Sequence, residues 1–175
     1  AMWDHLESLP ESDRIEAVAI NPTLVVGPSL SNDMGTSNMF IQKMIDGSYR
    51  ASPKIHFGFV TVEDTARAHI EAMLHPSASG KRFILSEKNM WLHEMNKVLV
   101  ENGYTKAPLK QLPDFLIKFL GLFNKELSVI SGFVGRTKYT NSDNAKNILG
   151  FKFDGVDNAI VNTAKKFEEL GIITR

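Results

Sequence analysis

The sequence predicts an α/β protein at its front and a mostly helical one at its back. Residues 15–26 form an apolar run rich in Val, Ile and Ala with little alternation, the pattern of a strand covered on both faces in a parallel sheet. Helical and strand patterns alternate from there to Leu85, and helical patterns dominate afterwards, an order that belongs to the α/β class. The length of 175 residues suits one domain rather than two, enough to bury roughly 70% of the unfolded surface.

Each element has a local reason. Residues 3–9 read as the tail of a helix stopped near Pro10, because the residue before a proline is pushed out of the helical region. The strand of residues 15–26 is interrupted at Asn21-Pro22 and ends in a Gly27-Pro28 turn. Residues 27–35, with Pro28, Ser29, Ser31, Asn32 and Asp33, have loop composition. Thr36 or Ser37 is the expected cap of a short helix to Ile45, stopped by Gly47.

His56-Phe57-Gly58-Phe59-Val60 reads as a short strand. Thr61-Val62-Glu63-Asp64 then sets a hydroxyl at a helix start and a carboxylate three residues on, a capping-box variant. Val62, Ala66, Ile70 and Met73 continue at helical spacing until Leu74-His75-Pro76. Arg82-Phe83-Ile84-Leu85 is a short strand, and Trp91, Met95, Val98 and Leu99 mark a helix closed by Asn102-Gly103. Pro113 opens an apolar helix. Ser142 is the expected cap of a short helix to Leu149, and Val156, Ile160, Thr163, Ala164, Phe167 and Leu170 define the last one.

Composition excludes several functions. Acidic and basic residues balance at 20 each without a block of either sign, which leaves no electrostatic footprint for a nucleic acid. There is no cysteine, hence no disulfide framework or thiolate metal site, as expected of a cytoplasmic protein. The first residues, Ala-Met-Trp-Asp-His-Leu-Glu, lack the basic and apolar regions of a signal peptide. The apolar run of residues 115–123 is broken by Lys118 and Gly121, and it falls short of the about 20 residues that span a bilayer. It is expected to pack in a core or at an interface.

Catalytic patterns are sparse. A Tyr-x-x-x-Lys pair is absent: four residues after Tyr49, Tyr104 and Tyr139 stand Pro53, Pro108 and Asp143. Gly132-Phe133-Val134-Gly135 lacks the third glycine and the preceding strand of a dinucleotide fingerprint. Gly80-Lys81 resembles the end of a phosphate-binding loop, but His75 and Arg82 occupy the positions of its first glycine and its hydroxyl. His5, His56, His69, His75 and His93 include no pair four apart on a helix, so no metal site is expected. Adjacent Glu63 and Asp64 are accounted for by a helix N-terminus.

Beside this reading stands a resemblance that covers nearly the whole chain. Asn21-Pro22-Thr23-Leu24-Val25-Val26-Gly27-Pro28 resembles the strand that lines the nicotinamide in extended short-chain dehydrogenases/reductases, the NAD-dependent epimerase/dehydratase superfamily. The likeness is to the branch of dihydroflavonol and cinnamoyl-CoA reductases. The segment from Gly58 to Ile70 resembles that family's Phe-Val-x-Val-x-Asp-x-Ala-x-Ala-His, and Gly80-Lys81-Arg82-Phe83-Ile84 its Gly-x-Arg-Phe/Tyr-Ile. Ala145 with Leu149-Gly150-Phe151 resembles a motif near the family's end, with Asn144 in place of the usual lysine.

The resemblance implies the C-terminal remnant of a Rossmann-type, doubly wound parallel sheet plus a mostly helical substrate-binding domain. Residues 1–47 would be the last part of the nucleotide-binding domain, and 48–175 the substrate-binding region, with 62–86 packing back on the sheet. It further implies that Pro22, Leu24, Val25 and Ser37 meet the cofactor. Pro22 would lie against the nicotinamide and Ser37 would reach the phosphates. Met34, Met39, His56, Phe57 and Gly58 would meet a small-molecule substrate.

The glycine fingerprint and the catalytic Tyr-x-x-x-Lys are absent from these residues. The parent enzyme, using NADP or NAD to reduce a ketone or aldehyde, is therefore expected to be active where the isolated chain is inactive and binds no cofactor. Met2 is expected to be either a truncated reading frame's start or interior family sequence behind Ala1. Self-association through the edge of residues 15–26, or pairing with an N-terminal fragment, is expected. The alternative is a non-catalytic binding module that docks through residues 115–123.

Overall fold

A computed structural model describes residues 2–31, 34–123, 128 and 130–174, with Leu120 described by its backbone. Ala1, Asn32, Asp33 and the Leu120 side chain, all used above, lie outside the described residues. The described helices are α1 (Met2–Ser8), α2 (Gly35–Ile45), α3 (Val62–Leu74), α4 (Leu92–Glu101), α5 (Asp114–Leu120), α6 (Asp143–Ile148) and α7 (Val156–Glu169). The strands are β1 (Ala19–Pro22), β2 (Leu24–Val26), β3 (His56–Thr61), β4 (Arg82–Leu85) and β5 (Lys88–Trp91).

The run of residues 15–26 forms two strands instead of one. β1 pairs in parallel with β4, while β2 pairs in parallel with β3, which in turn pairs antiparallel with β5. Thr23 is where the chain passes from one ladder to the other. Residues 15–18 stay outside the ladder because Ala19 is opposite Arg82, the first residue of β4, and Gly80, at φ 73°, turns the preceding chain away.

β1 is also less covered than its composition predicts. The Ala19 and Thr23 amides donate to Lys81 and Leu85, and the Ala17 carbonyl accepts from Gly80. Odd-numbered residues thus face β4, and Val18, Ile20 and Pro22 turn their backbone to an edge with no partner among the described residues. Ile15 is 70% exposed.

The antiparallel β3–β5 pair departs from the all-parallel expectation. Only Ser86 and Glu87 separate β4 from β5, far too few for the crossover that a parallel return requires. β5 itself escapes the sequence pattern because Lys88-Asn89-Met90-Trp91 buries fully only Met90.

Two main cores result. One packs Val26, Phe59 and Met90 against Ile41 and Met44 of α2, Leu99 of α4, and Ile160 and Phe167 of α7. The other sets Val60, Phe83 and Leu85 under Ala68 and Ala72 of α3, with Val18 and Ile20 of β1 at its margin. The last helix buries the face its spacing predicts, and Thr163 satisfies its hydroxyl on the Ala159 carbonyl at 2.8 Å.

Three local expectations need correction. The α2 N-cap is Met34, which offers no side-chain cap, and Thr36 and Ser37 lie inside the first turn. Ser142 does precede α6, but its hydroxyl is spent on the backbone of Ser86, accepting from the N–H at 2.7 Å and donating to the carbonyl at 2.8 Å. The apolar spacing on α3 marks its outer face: Ile70 is 56% and Met73 74% exposed, while Asp64, Ala68 and Ala72 face inward. The start of α3 is as the sequence predicts, with Thr61 Oγ1 accepting the Asp64 N–H at 2.9 Å. Pro113 likewise precedes α5, yet Phe115, Phe119, Leu122 and Phe123 are exposed.

Candidate functional site

Where β2 ends, Gly27 and Pro28 lead into the loop before α2. Asn38 fastens that loop, donating from Nδ2 to the Gly27 carbonyl at 2.9 Å. The result is a cleft of about 480 Å³ whose walls include Val25, Gly27, Met34, Gly35, Ser37 and Val62. Val25, Ser37 and Met34 therefore share one space.

The floor of that cleft is the N-terminus of α2. First-turn amides of a helix have no partner within it, and the Met34 side chain at the N-cap does not cap them. A Cβ added to Gly35 meets nothing within 4 Å, so the approach is open. The positive end of the helix dipole suits a phosphate, and the Ser37 hydroxyl adds a donor in the same turn. The residues present therefore fit the phosphate part of a dinucleotide.

The other sequence-selected residues lie elsewhere. Pro22 is exposed at the end of β1 and Leu24 is half-buried in the first core. Met39 lines a second, apolar cavity beside α2, with Phe40, Met44 and Ile117. His56 is buried, its Nδ1 2.7 Å from the Lys138 carbonyl and its ring edge-on to Trp91 and Tyr139. Phe57 packs at the margin of the core. Gly58 is needed for close approach: a Cβ there would stand 2.5 Å from Ser86 Oγ and 2.8 Å from Thr23 Cγ2.

Thr36, Asn38 and Lys43 escape sequence reasoning. Thr36 lines both cavities and Lys43 the apolar one. Spacing four residues apart from Met39 is the one signal that would have singled out Lys43. Among the described residues no group of three or more His, Asp or Glu is placed to hold a metal, and no helix is long and apolar enough to cross a membrane.

No family model matches the chain. A cinnamoyl-CoA reductase of Medicago truncatula is 38% identical over 104 residues, 59% of this chain and 30% of the relative. The NADPH-dependent methylglyoxal reductase of Saccharomyces cerevisiae is 25% identical over an alignment that takes in 96% of this chain and 48% of the relative. The solved structure of the yeast methylglyoxal/isovaleraldehyde reductase with NADPH superposes with a TM-score of 0.72 at 22% identity, covering 97% of this chain and 52% of that one.

These likenesses define an α/β protein with parallel strands, related to carbonyl reductases that use NAD(P). The chain belongs to the extended short-chain dehydrogenase/reductase, or NAD-dependent epimerase/dehydratase, superfamily. It spans about half the length of the methylglyoxal reductase it matches.

Proposed function

We propose that this chain is the C-terminal, substrate-binding part of a cytoplasmic NAD(P)-dependent oxidoreductase that reduces a ketone or aldehyde. The observation that carries the reading is the N-terminus of α2, which opens with Ser37 onto the cleft that also holds Val25 and Met34. In this assignment Ser37 and the α2 amides hold the cofactor's phosphates. Pro22, the last residue of β1 and without an N–H on its open edge, offers a flat surface to the nicotinamide, beside backbone of Leu24 and Val25. The nicotinamide supplies the hydride; these residues bind and orient it.

Residues 1–47 are assigned to the nucleotide-binding side and 48–175 to the substrate side, with 62–86 returning to the sheet. The pairing of β4 with β1 and the contact of α3 with both ladders support that division. Met34 and Met39 are assigned to the substrate, with Phe57 and Gly58 forming the support behind them and His56 bracing β3 from inside.

The isolated chain is proposed to be inactive, because its residues include neither a Tyr-x-x-x-Lys nor a glycine fingerprint. Titration of the purified chain with NADPH and NADH, in the presence of an aldehyde, tests this. Expected is no loss of reduced nicotinamide and no tight binding; turnover by the chain alone overturns the assignment. A second reading, a non-catalytic docking module, is favoured by the exposed row Phe115, Phe119, Leu122 and Phe123. It predicts capture of a protein partner that is lost on Phe119→Ser and indifferent to nicotinamide.

A further inference from the structure

The apolar cavity beside α2 has a volume of about 270 Å³. Its floor is buried, with Met44 and Ile117 each 2% exposed, while Met39 and Tyr49 stand half-open at its mouth. An apolar hollow with such a rim gains by covering, since the area removed from water there is uncompensated in the free chain.

Lys43 is the one charged residue on that wall among the described residues. It lies one helical turn beyond Met39 on the same face of α2, in the helix's last turn. No carboxylate lies within ion-pair distance of its ammonium among the described residues. The nearest one in sequence, Asp46, is engaged through Oδ1 by the Ser48 N–H at 2.7 Å in the turn that follows. The helix end favours a cation at this position without neutralising it.

We infer that this cavity binds an organic carboxylate with an apolar body of one or two rings, the body against Met39 and Met44 and the carboxylate on Lys43. The walls accept the rings through dispersion and sulfur–aromatic contact. Covering the mouth with an apolar body also lowers the local dielectric around the ion pair, which strengthens it relative to a pair in open water. This deepens the reductase reading by giving the substrate side a charge requirement, and it rests on that reading only for the ligand's role as substrate. Binding itself requires no nicotinamide.

The probe is 2-naphthoate, titrated into the 175-residue chain and followed by its fluorescence, with neutral 2-naphthalenemethanol as the control. Expected is saturable one-site binding of naphthoate, weakened about fivefold by Lys43→Gln and retained by Lys43→Arg, with the alcohol unaffected by either. Met39→Glu sets a carboxylate four residues before Lys43, the spacing of a helical ion pair, and is expected to weaken naphthoate more than Lys43→Gln does. Both substitutions fall on exposed positions, so thermal unfolding should be unchanged. Failure of naphthoate to bind saturably, or an equal response of acid and alcohol to Lys43→Gln, overturns the inference. Naphthoate binding by a chain that also oxidises NADPH with an aldehyde leaves the inference standing and overturns only the proposal that the isolated chain is inactive.

Discussion

Thr23 holds the Leu85 carbonyl twice, through its backbone N–H at 2.9 Å and its Oγ1 hydroxyl at 3.0 Å. One side chain thus ties the point where the chain leaves the β1–β4 ladder to the last residue of β4. Thr23→Val keeps the shape and removes one of the two bonds. It is expected to lower the unfolding free energy by about 0.5–1.5 kcal/mol, read from the urea midpoint at unchanged slope.

Gly58 lies where the two chain crossings, Thr23 and Ser86, come closest. The space for a Cβ is already taken by Ser86 Oγ and Thr23 Cγ2. Gly58→Ala is expected to cost about 1–3 kcal/mol through overpacking. The double variant Gly58→Ala with Thr23→Ser, which deletes Cγ2, should recover part of the loss. A melting temperature for Gly58→Ala equal to that of the parent chain would refute this account.

Asp64 is fully buried at the start of α3 and has two tasks. Its Oδ1 accepts Arg67, and its Oδ2 accepts the Asp154 N–H at 3.1 Å. Arg67 also reaches the Asp154 carboxylate at 3.1 Å and lies 4.8 Å from the centre of the Phe151 ring. Asp64→Asn is expected to destabilise by about 1.5–3 kcal/mol, as for hydrogen bonds to a charged group. Glu71→Gln, which breaks the exposed 4.0 Å pair with Arg67, should cost about 0–0.5 kcal/mol. Equal losses from the two changes would show that burial is not what sets their value.

The open edge of β1 and the outer face of α3 present Ile15, Ile70 and Met73 to water. Such an edge recruits another strand, so the isolated chain is expected to self-associate in proportion to concentration. The combined Ile15→Lys and Met73→Lys variant alters no buried residue and is expected to sediment as a monomer. A parent chain that is already monomeric at high concentration contradicts the expectation.

What could be read from the sequence follows from the range of each interaction. The Thr61 cap, the Pro113 start and the buried face of α7 depend on neighbours within a turn or two, and all three are legible. An interruption of the run is legible as well, although Asn21 and Pro22 stay in the β1–β4 ladder and the break falls at Thr23. That Thr23 passes the chain between ladders is not, because the partners, Leu85 and Phe59, lie tens of residues away. α3 misleads for a different reason. Its inner side is made of Ala68, Ala72 and a buried Asp64, so the stronger apolar signal belongs to the side facing water.

At the candidate site, Val25, Ser37 and Met34 line one cleft, whereas His56, Phe57 and Gly58 line neither cavity described beside α2. Alternation along β3 could not reveal that, since both faces of the strand are covered by packed side chains. Lys43 is not legible in the sequence because a lone lysine near a helix end is ordinary. Only the hollow next to it makes it distinctive.

The imide nitrogen of Pro22 sets a limit on what can join this chain. Along the open side of β1, Val18 and Ile20 each present an amide, and the next residue to face that way has none to give. A strand laid beside β1 is held at its beginning and released at its end, one residue before the handover at Thr23. The proline thus acts as a stop on any zipper formed there, so a joining chain's backbone is let go at the threshold of the cleft.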